Sequence, residues 1–189
     1  MKPAGLGLDE IQPDDLLLLD YAGTVLAGRH ARHEEFSIHA EVFRARPEVS
    51  CVVHTHPPYS IAFGARGGRL MPVSHEANFF WPQGVPVFDR FTDLVKTSEQ
   101  GQLVAAALGK GAALLLRNHG IVVAHHSVEE AVWAAMSLER AAQVQLLAQP
   151  SADAPLLHTP EDEMPRKKAS IWSAERARAV FDYYVRKLA

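Results

Sequence analysis

The sequence predicts an α/β fold, in which buried strands alternate with amphipathic helices. Two apolar runs, at 49–53 and 112–116, have the length of buried strands and are too short to be typical helices. Helical spacing of apolar residues appears over 35–46, 97–108 and 127–149. This alternation of elements is typical of a sheet that is covered by helices.

Composition indicates an ordinary globular protein with a single sizeable core. Of its 189 residues, 48% are hydrophobic and 22% are charged. The net charge of −3 and the lack of a long Lys/Arg cluster argue against nucleic acid as a partner. No apolar run has the length of a membrane span, and the first residues lack the apolar core of a signal peptide. A single cysteine, Cys51, favours a reducing compartment, so we expect a cytoplasmic protein.

The first half of the chain is predicted to form a hairpin, a helix and a buried strand. Apolar residues at 16–20 and 25–28, separated by a turn, indicate the hairpin. The helix over 35–46 should end before Pro47, because the residue that precedes a proline avoids the helical region. Further short elements are expected downstream, namely a helix at 59–65 and strand-like fragments at 70–73 and 85–88.

The second half of the chain is predicted to contain two capped helices around a hairpin. Capping boxes that begin at Thr97 and Ser127 open these helices. Between them, the strand over 112–116 bends at 118–120 and returns over 121–124. The bend therefore carries His119.

The C-terminal part is expected to be an arm followed by a last helix. Four prolines within 150–171 predict a linker or an arm over the surface, and apolar spacing predicts a helix over 173–188. We therefore divide the chain into a domain over 1–149 and a C-terminal portion over 150–189 that packs on the same domain.

Two histidines stand where the first buried strand ends. His54 and His56 are two residues apart, so their side chains project from the same face, and Pro57 and Pro58 stop the strand just beyond them. Two imidazoles this close disfavour being charged together, and a neutral imidazole is the commonest metal ligand. A metal site is the favoured interpretation, and the alternative is a pair that is only stacked or hydrogen-bonded.

His119 and Glu35 are the candidates for the remaining metal ligands. A lone histidine at a turn is more often a hydrogen-bonded loop residue, so His119 gains weight only beside the other two. The helix over 35–46 and the strand that follows it have similar lengths of about 18 Å, which can return Glu35 to the strand histidines. Three imidazole nitrogens and one carboxylate suit Zn²⁺, or another first-row divalent ion such as Mn²⁺, Co²⁺ or Fe²⁺.

Five further side chains are candidates for catalysis or substrate binding. His75 and Glu76 could form an acid–base pair that faces the metal, or simply a polar pair at a sheet edge. Phe79 could line an aromatic pocket, although core packing explains it at least as well. Tyr59 and Arg117 are candidate substrate contacts, and Arg117 could equally be structural.

The order of these features resembles the class II aldolase and adducin family. The resemblance rests on a helix that starts at Glu35, on His54-Thr55-His56-Pro57 after a buried strand, and on Arg117-Asn118-His119-Gly120 after the next. It covers about residues 2–149. It implies a central, mostly antiparallel sheet in a three-layer αβα arrangement, and a homotetramer with sites between neighbouring subunits. It also implies that His54, His56 and His119 are metal ligands, with Glu35 beside the metal and able to move protons.

Two departures from the family pattern bear on the substrate. The phosphate-binding loop that the aldolases carry near their N-terminus would precede Met1, and His33-Glu34 replaces a pair of serines before the glutamate. A carboxylate beside a phosphate dianion would repel it, so we expect a substrate without phosphate. In addition, His75-Glu76 stands where the aldolases carry a catalytic tyrosine.

We expect a metal-dependent lyase that acts on a small molecule. A divalent ion stabilises negative charge on oxygen, which assists any carbon–carbon cleavage that leaves an enolate. Decarboxylation of a hydroxy-aromatic or keto acid is favoured, with Glu35 or His75 supplying the proton that replaces CO₂ and Arg117 or Arg29 holding the carboxylate. The alternative is retro-aldol cleavage or epimerisation of a hydroxy-carbonyl compound. A non-catalytic module like the adducin heads is less favoured, because all three histidines are present.

Overall fold

The computed structural model of the protein describes residues 1–148 and 154–188. Two compact units are present, the first made of Met1–Pro47 and Asp93–Ala106 and the second of Glu48–Thr92 and Ala107–Ala189. The domain boundary expected between Gln149 and Pro150 lies outside the described residues.

Helices and strands alternate along the chain, which confirms the α/β class. Their order is β1 (Leu18–Leu19), β2 (Val25–Ala27), α1 (Phe36–Ala45), β3 (Cys51–Thr55), α2 (Pro58–Arg66), β4 (Val87–Phe88), α3 (Ser98–Leu108), β5 (Ala113–Leu116), β6 (Gly120–His125), α4 (Val128–Leu147), α5 (Met164–Ile171) and α6 (Ala174–Leu188). Short 3-10 helices lie at Pro13–Asp15, Glu76–Phe80 and Glu161–Glu163. Within the described residues, no helix combines the length and the apolarity needed to cross a membrane.

The first unit contains the predicted hairpin and the helix that follows it. β1 and β2 pair antiparallel, although both strands are shorter than the sequence suggests. α1 begins directly after Glu35 and ends at Ala45, with Arg46 as its C-cap, so the helix stops before the proline as expected. The capping box that opens α3 is also confirmed, because the amide of Gln100 donates to Thr97 Oγ1 at 3.3 Å and the amide of Thr97 donates to Gln100 Oε1 at 3.1 Å.

The first unit also contains a buried carboxylate with three hydrogen-bonding neighbours. Asp15 Oδ1 lies 2.8 Å from the guanidinium of Arg29 and 2.9 Å from Nε2 of His30, and Oδ2 accepts from the amide of Gln12 at 3.0 Å. The guanidinium of Arg29, the Gln12 amide and the His30 ring, in that order, hold the pKa of Asp15 well below its usual value. The carboxylate thus ties the chain before β1 to the chain after β2.

The second unit is built on a four-stranded sheet in the order β3-β6-β5-β4. β6 pairs antiparallel with both β3 and β5, and β4 pairs parallel with β5. The predicted hairpin at 112–124 and the mostly antiparallel sheet are therefore confirmed. Strand β5 is buried at every position, which explains its continuous apolar sequence.

The core of the second unit lies between one face of this sheet and helices α2 and α4. The Ser127 cap opens α4 as predicted, with Ser127 Oγ accepting from the amide of Glu130 at 3.2 Å. Apolar residues of α4 at the predicted spacing are fully buried, namely Ala131, Ala134, Leu138 and Ala142. They pack in one cluster with Leu115, Ile121 and Val123 of the sheet.

Two predicted elements are wrong. The fragment over 70–73 is not a strand, because the amide of Met71 donates to the Gln145 side chain at 2.7 Å and Pro72 has no amide proton for a ladder. The prolines near the C-terminus do not produce only a linker, since a 3-10 helix over Glu161–Glu163 continues into α5. Tertiary packing stabilises this part, where the Trp172 ring lies 3.8 Å from that of Phe79 and 3.6 Å from that of Trp133.

We expect Asp15 to make the stability of the protein depend on pH in acid. The pKa of Asp15 is lower in the folded protein than its value near 3.8 in the unfolded chain. The contribution of Asp15 to the free energy of unfolding is therefore present above about pH 3.8 and disappears as the pH falls towards the folded pKa. Asp15→Asn should therefore lower the urea midpoint at neutral pH, and the difference in midpoint between wild type and variant should narrow below about pH 4. Urea unfolding of both proteins across this pH range measures that difference. A difference that stays constant with pH would contradict a stabilising role for the charged Asp15 carboxylate.

Candidate metal centre

His54 and His56 project together from the end of β3. Cys51 and Val53 pack against the core cluster, so the side chains of opposite parity lie on the other face of the sheet. The two imidazole centroids are 4.9 Å apart, and the two Nε2 atoms are separated by 3.2 Å. The sequence prediction that these two side chains share one face is consistent with this geometry.

His119 reaches the same place from the bend between β5 and β6. Asn118 adopts a positive φ of 57°, which turns the chain sharply after β5, and the His119 amide donates to Leu116 O at 3.1 Å. The ring centroid of His119 then lies 5.1 Å from that of His54 and 5.1 Å from that of His56. Each of the three rings offers a nitrogen within 4.8 Å of the others.

Gly120 allows the bend to approach β3 this closely. It pairs with Leu116 across the hairpin, and a Cβ atom added there would collide with Thr55 O and would lie 2.6 Å from Cδ2 of His56. Any larger residue would push the bend away from the strand end. The glycine therefore brings His119 to the two strand histidines.

The hydrogen bond made by His54 determines which nitrogen it offers. Its Nδ1 lies 2.8 Å from the carbonyl oxygen of Ile121, and a carbonyl can only accept, so Nδ1 carries the proton. Nε2 is therefore the lone-pair nitrogen, and it faces Nε2 of His56 at 3.2 Å. A carbonyl partner on the remote ring nitrogen is the usual arrangement for a metal-binding histidine.

The arrangement of the three histidines fits a divalent ion. Two nitrogens that each lie about 2.0–2.1 Å from a tetrahedral ion are separated by roughly 3.3 Å, close to the spacing of the two Nε2 atoms. Three neutral imidazoles suit zinc and other first-row divalent ions, and they leave coordination positions open for a substrate. The observed 3.2 Å between the two Nε2 atoms therefore fits two nitrogens that share an ion, and it also fits a direct hydrogen bond between His54 and His56, the alternative that the sequence left open.

Glu35 lies in the first unit, immediately before α1. Its side chain is 2% exposed, and Oε1 accepts a hydrogen bond from the amide of Val95 at 2.9 Å. Such a buried, oriented carboxylate is suited to a metal ligand or a proton carrier. Its role beside the histidines stays a prediction.

His75 and Glu76 lie at the start of the 3-10 helix over Glu76–Phe80. His75 is exposed and Glu76 is half-buried. Among the described residues, neither belongs to a group of three or more ligand side chains close enough to share one ion. A role in proton transfer stays a prediction for both.

The three predicted substrate contacts have different surroundings. Phe79 is 6% exposed and stacks on Trp172, which favours core packing over a pocket wall. Tyr59 is 38% exposed in the first turn of α2, just after His56. Arg117 donates to Asp89 O at 3.0 Å and lines a groove of about 540 Å³ together with Arg66 and Arg69.

The partner that orients His54 could not be recognised from the sequence. The carbonyl of Ile121 has no side-chain signature, and its position depends on the register in which β6 pairs with β3. Only a correct strand register could have revealed it.

Comparison with known proteins identifies the family to which this arrangement belongs. The model of the class II aldolase and adducin N-terminal domain matches residues 1–146. The chain is 39% identical over 149 residues to the decarboxylase NovR of Streptomyces niveus, covering 78% of this chain and 55% of NovR.

Two further similarities are informative. The chain is 37% identical over 149 residues to the 4-hydroxy-3-prenylphenylpyruvate oxygenase/4-hydroxy-3-prenylbenzoate synthase of Streptomyces roseochromogenus subsp. oscitans, covering 78% of this chain and 53% of that protein. It therefore spans about half the length of these two relatives. The solved structure of L-fuculose 1-phosphate aldolase from Glaciozyma antarctica superposes with a TM-score of 0.83 at 26% identity, over 99% of this chain and 72% of that one.

We expect the metal-stripped protein to take up about one divalent ion per chain and to lose it when one histidine is removed. His56→Ala should weaken Zn²⁺ binding by more than about 100-fold, which exceeds the usual effect of losing an outer-shell partner. Isothermal titration with Zn²⁺ measures the affinity. His126→Ala, at an exposed position after β6, is the matched control and should bind as wild type does. Equal affinities for the two variants would contradict the site.

Proposed function

Because the chain belongs to the class II aldolase and adducin family, we propose that it is a divalent-metal-dependent carbon–carbon lyase that acts on a substrate without phosphate. The observation that carries the proposal is the convergence of His54, His56 and His119 at one end of the sheet. The reaction that we favour is decarboxylation of a hydroxy-aromatic or keto acid. Zn²⁺ is the first candidate for the ion, with Mn²⁺, Co²⁺ and Fe²⁺ as alternatives.

We propose Glu35 as the acidic partner of the three histidines. These four residues are of types that can hold one ion together, and the family resemblance assigns the same set. The amide of Val95 fixes one oxygen of the Glu35 carboxylate, which orients the group before a substrate arrives. An oriented, buried carboxylate can also carry a proton to carbon.

The ion, when bound, would supply Lewis-acid stabilisation of negative charge on a substrate oxygen. In the proposed reaction the bond to the carboxylate carbon breaks and CO₂ leaves. In a β-keto acid the electron pair of that bond passes to the carbonyl oxygen as an enolate, and a proton from Glu35 or from His75 then replaces CO₂ on carbon. In an ortho-hydroxy aromatic acid the same donor protonates the ring carbon first, and loss of CO₂ returns the electron pair to the aromatic ring. Arg117 or Arg29 is proposed to hold the carboxylate before cleavage.

The residues before α1 support a substrate without phosphate. Glu34 forms an ion pair with Lys96, with 2.5 Å between Oε2 and Nζ, and this hydrogen bond lowers the pKa of Glu34. The carboxylate therefore stays charged at neutral pH and neutralises the lysine. This position offers no excess positive charge to attract a phosphate dianion.

The names of the two curated relatives support a hydroxy-aromatic or keto acid. One is named a decarboxylase, and the other is named for a hydroxyphenylpyruvate that bears a prenyl group and for the corresponding benzoate. The second name also includes an oxygenase, so dioxygen belongs among the variables of the test.

The runner-up is an aldolase or an epimerase that acts on an unphosphorylated hydroxy-carbonyl compound. It is supported by the structural likeness to L-fuculose 1-phosphate aldolase. Both reactions pass through an enolate, so the same three histidines would serve either one. A non-catalytic module like adducin remains the third and least favoured alternative.

We further propose a homotetramer in the cytoplasm, with each site completed by a neighbouring subunit. Both suggestions come from the family resemblance and from the single cysteine of the chain. Light scattering of the purified protein tests the first, and localisation of a tagged chain tests the second.

We expect the metal-loaded protein to release CO₂ from hydroxybenzoates that carry an ortho hydroxyl, or from β-keto acids, both of which leave an electron pair that a substrate oxygen next to the ion can accept, and to form no aldehyde. Headspace CO₂ and aldehyde trapping, with and without dioxygen, separate the reactions. An aldehyde without CO₂ would favour the aldolase, and strict dependence on dioxygen would contradict simple decarboxylation. If the protein binds metal but turns over no substrate of either class, the non-catalytic module would be favoured.

We expect Glu35→Gln and His75→Gln to identify the proton donor. Loss of a general acid typically costs 10²–10⁴-fold in rate, so one of these variants should fall by at least about 100-fold in kcat. Glu34→Gln is the matched control for Glu35, since it removes a neighbouring but exposed carboxylate. The metal content of each variant is measured in parallel, which separates loss of the ion from loss of the proton. Full turnover by both variants would refute the two assignments.

A further inference from the structure

His56 lies just beyond the last ladder position of β3. The final paired residue of the strand is Thr55, opposite Ile121, and His56 is exposed and followed by two prolines. Strand pairing therefore orients His54 directly, whereas it reaches His56 only through its neighbour. Some other contact must hold the chain that follows His56 if its ring is to stay in place.

Glu139 of α4 makes that contact. Its Oε1 accepts from the amide of Tyr59 at 2.9 Å, and its Oε2 accepts from both the amide and the hydroxyl of Ser60, each at 2.8 Å. Ser60 is fully buried. The carboxylate thus satisfies two of the amides that the start of α2 leaves without intrahelical partners, and its charge is favourable at a helix N-terminus.

The link between this contact and His56 is short and stiff. Only Pro57 and Pro58 separate His56 from Tyr59, and both have a φ angle that is restricted by the proline ring. Pro57 is extended, with φ −75° and ψ 136°. A shift at the start of α2 is therefore transmitted to His56 instead of being absorbed by free rotation.

The opposite side of His56 is closed by Gly120. The missing Cβ of that glycine would lie 2.6 Å from Cδ2 of His56, so the ring packs against the hairpin bend. The ring of His56 thus packs against the bend, while its backbone leads through two prolines into the anchored first turn of α2.

We propose that Glu139 is a positioning residue for the candidate metal centre, which fixes His56 and the neighbouring Tyr59 by anchoring the first turn of α2. The proposal rests on the metal site assigned under the proposed function. It gives α4 a role at the site in addition to its role in the core. A carboxylate suits the position, because it accepts three hydrogen bonds that no apolar side chain could accept.

Gln145 provides a matched control on the same helix. Its Oε1 accepts from the amide of Met71 at 2.7 Å, and its Nε2 donates to Arg69 O at 3.0 Å. It therefore anchors the chain that leaves α2, as Glu139 anchors the chain that enters it. Both side chains fasten backbone to α4, but only Glu139 does so next to a histidine of the site.

The test is Zn²⁺ affinity and the visible spectrum of the Co²⁺-loaded protein for wild type, Glu139→Ala, Glu139→Gln and Gln145→Ala. Glu139→Ala should weaken Zn²⁺ binding by about 10–100-fold, in the range seen when a residue that supports a ligand is lost, and should shift the Co²⁺ bands. The Zn²⁺ affinity of Glu139→Gln should lie between those of wild type and Glu139→Ala, because the amide oxygen of the glutamine can still accept from one of the backbone amides. Gln145→Ala should match wild type in both measurements.

Melting curves verify that each variant is folded at the temperature of the titration. If Glu139→Ala does not fold, Glu139→Gln carries the same comparison with Gln145→Ala. Wild-type affinity and spectrum in the Glu139 variants, or an equal loss in Gln145→Ala, would overturn the positioning role. If the wild-type protein itself bound neither ion, the metal centre would be refuted as well, which is a distinct result.

Discussion

The antiparallel pairing of β3 with β6 is the constraint on which the candidate metal centre depends. This register places Ile121 opposite Thr55, so the hairpin bend and the last residues of β3 lie at the same end of the sheet. The same register aims the Ile121 carbonyl at Nδ1 of His54 and sets Gly120 against His56. A slip of one residue would send the strand histidines to the opposite face, because the side-chain period of a strand is two residues.

Helix α4 connects the packing of the second unit to its chemistry. One stripe of small and apolar residues packs on the sheet, while polar side chains on the same helix hold the first turn of α2 and the chain that leaves α2. The buried stripe is rich in alanine, and from the same helix the Glu139 side chain reaches the first turn of α2. A helix that was only a cover for the core would not need these polar anchors. The site therefore depends on residues that lie well outside the histidine motifs.

Local patterns accounted for much of the fold, and the errors have a common cause. Strand length, proline stops and capping boxes depend on neighbours along the chain, so the main strands and helices could be predicted. The fragment at 70–73 was misassigned because its long-range hydrogen bonds do not form a ladder: the amide of Met71 donates to the side chain of Gln145, and the carbonyl of Pro72 accepts from the amide of Thr159. The segment that forms α5 was misassigned as a linker or arm, because α5 is stabilised by aromatic packing of Trp172 between Phe79 and Trp133, which proline content does not reveal.

The sequence by itself determined the donor types and the side of the strand from which two of them project. Those properties are local, since the period of a strand and the stop imposed by proline need no tertiary contact. The tertiary structure alone decided that His119 meets them, that His54 offers Nε2, and that Glu139 anchors the turn after His56. Each of these depends on strand register or on helix packing between residues that are distant in sequence. Such contacts follow from how the whole chain fills its core, and no short stretch of residues encodes them.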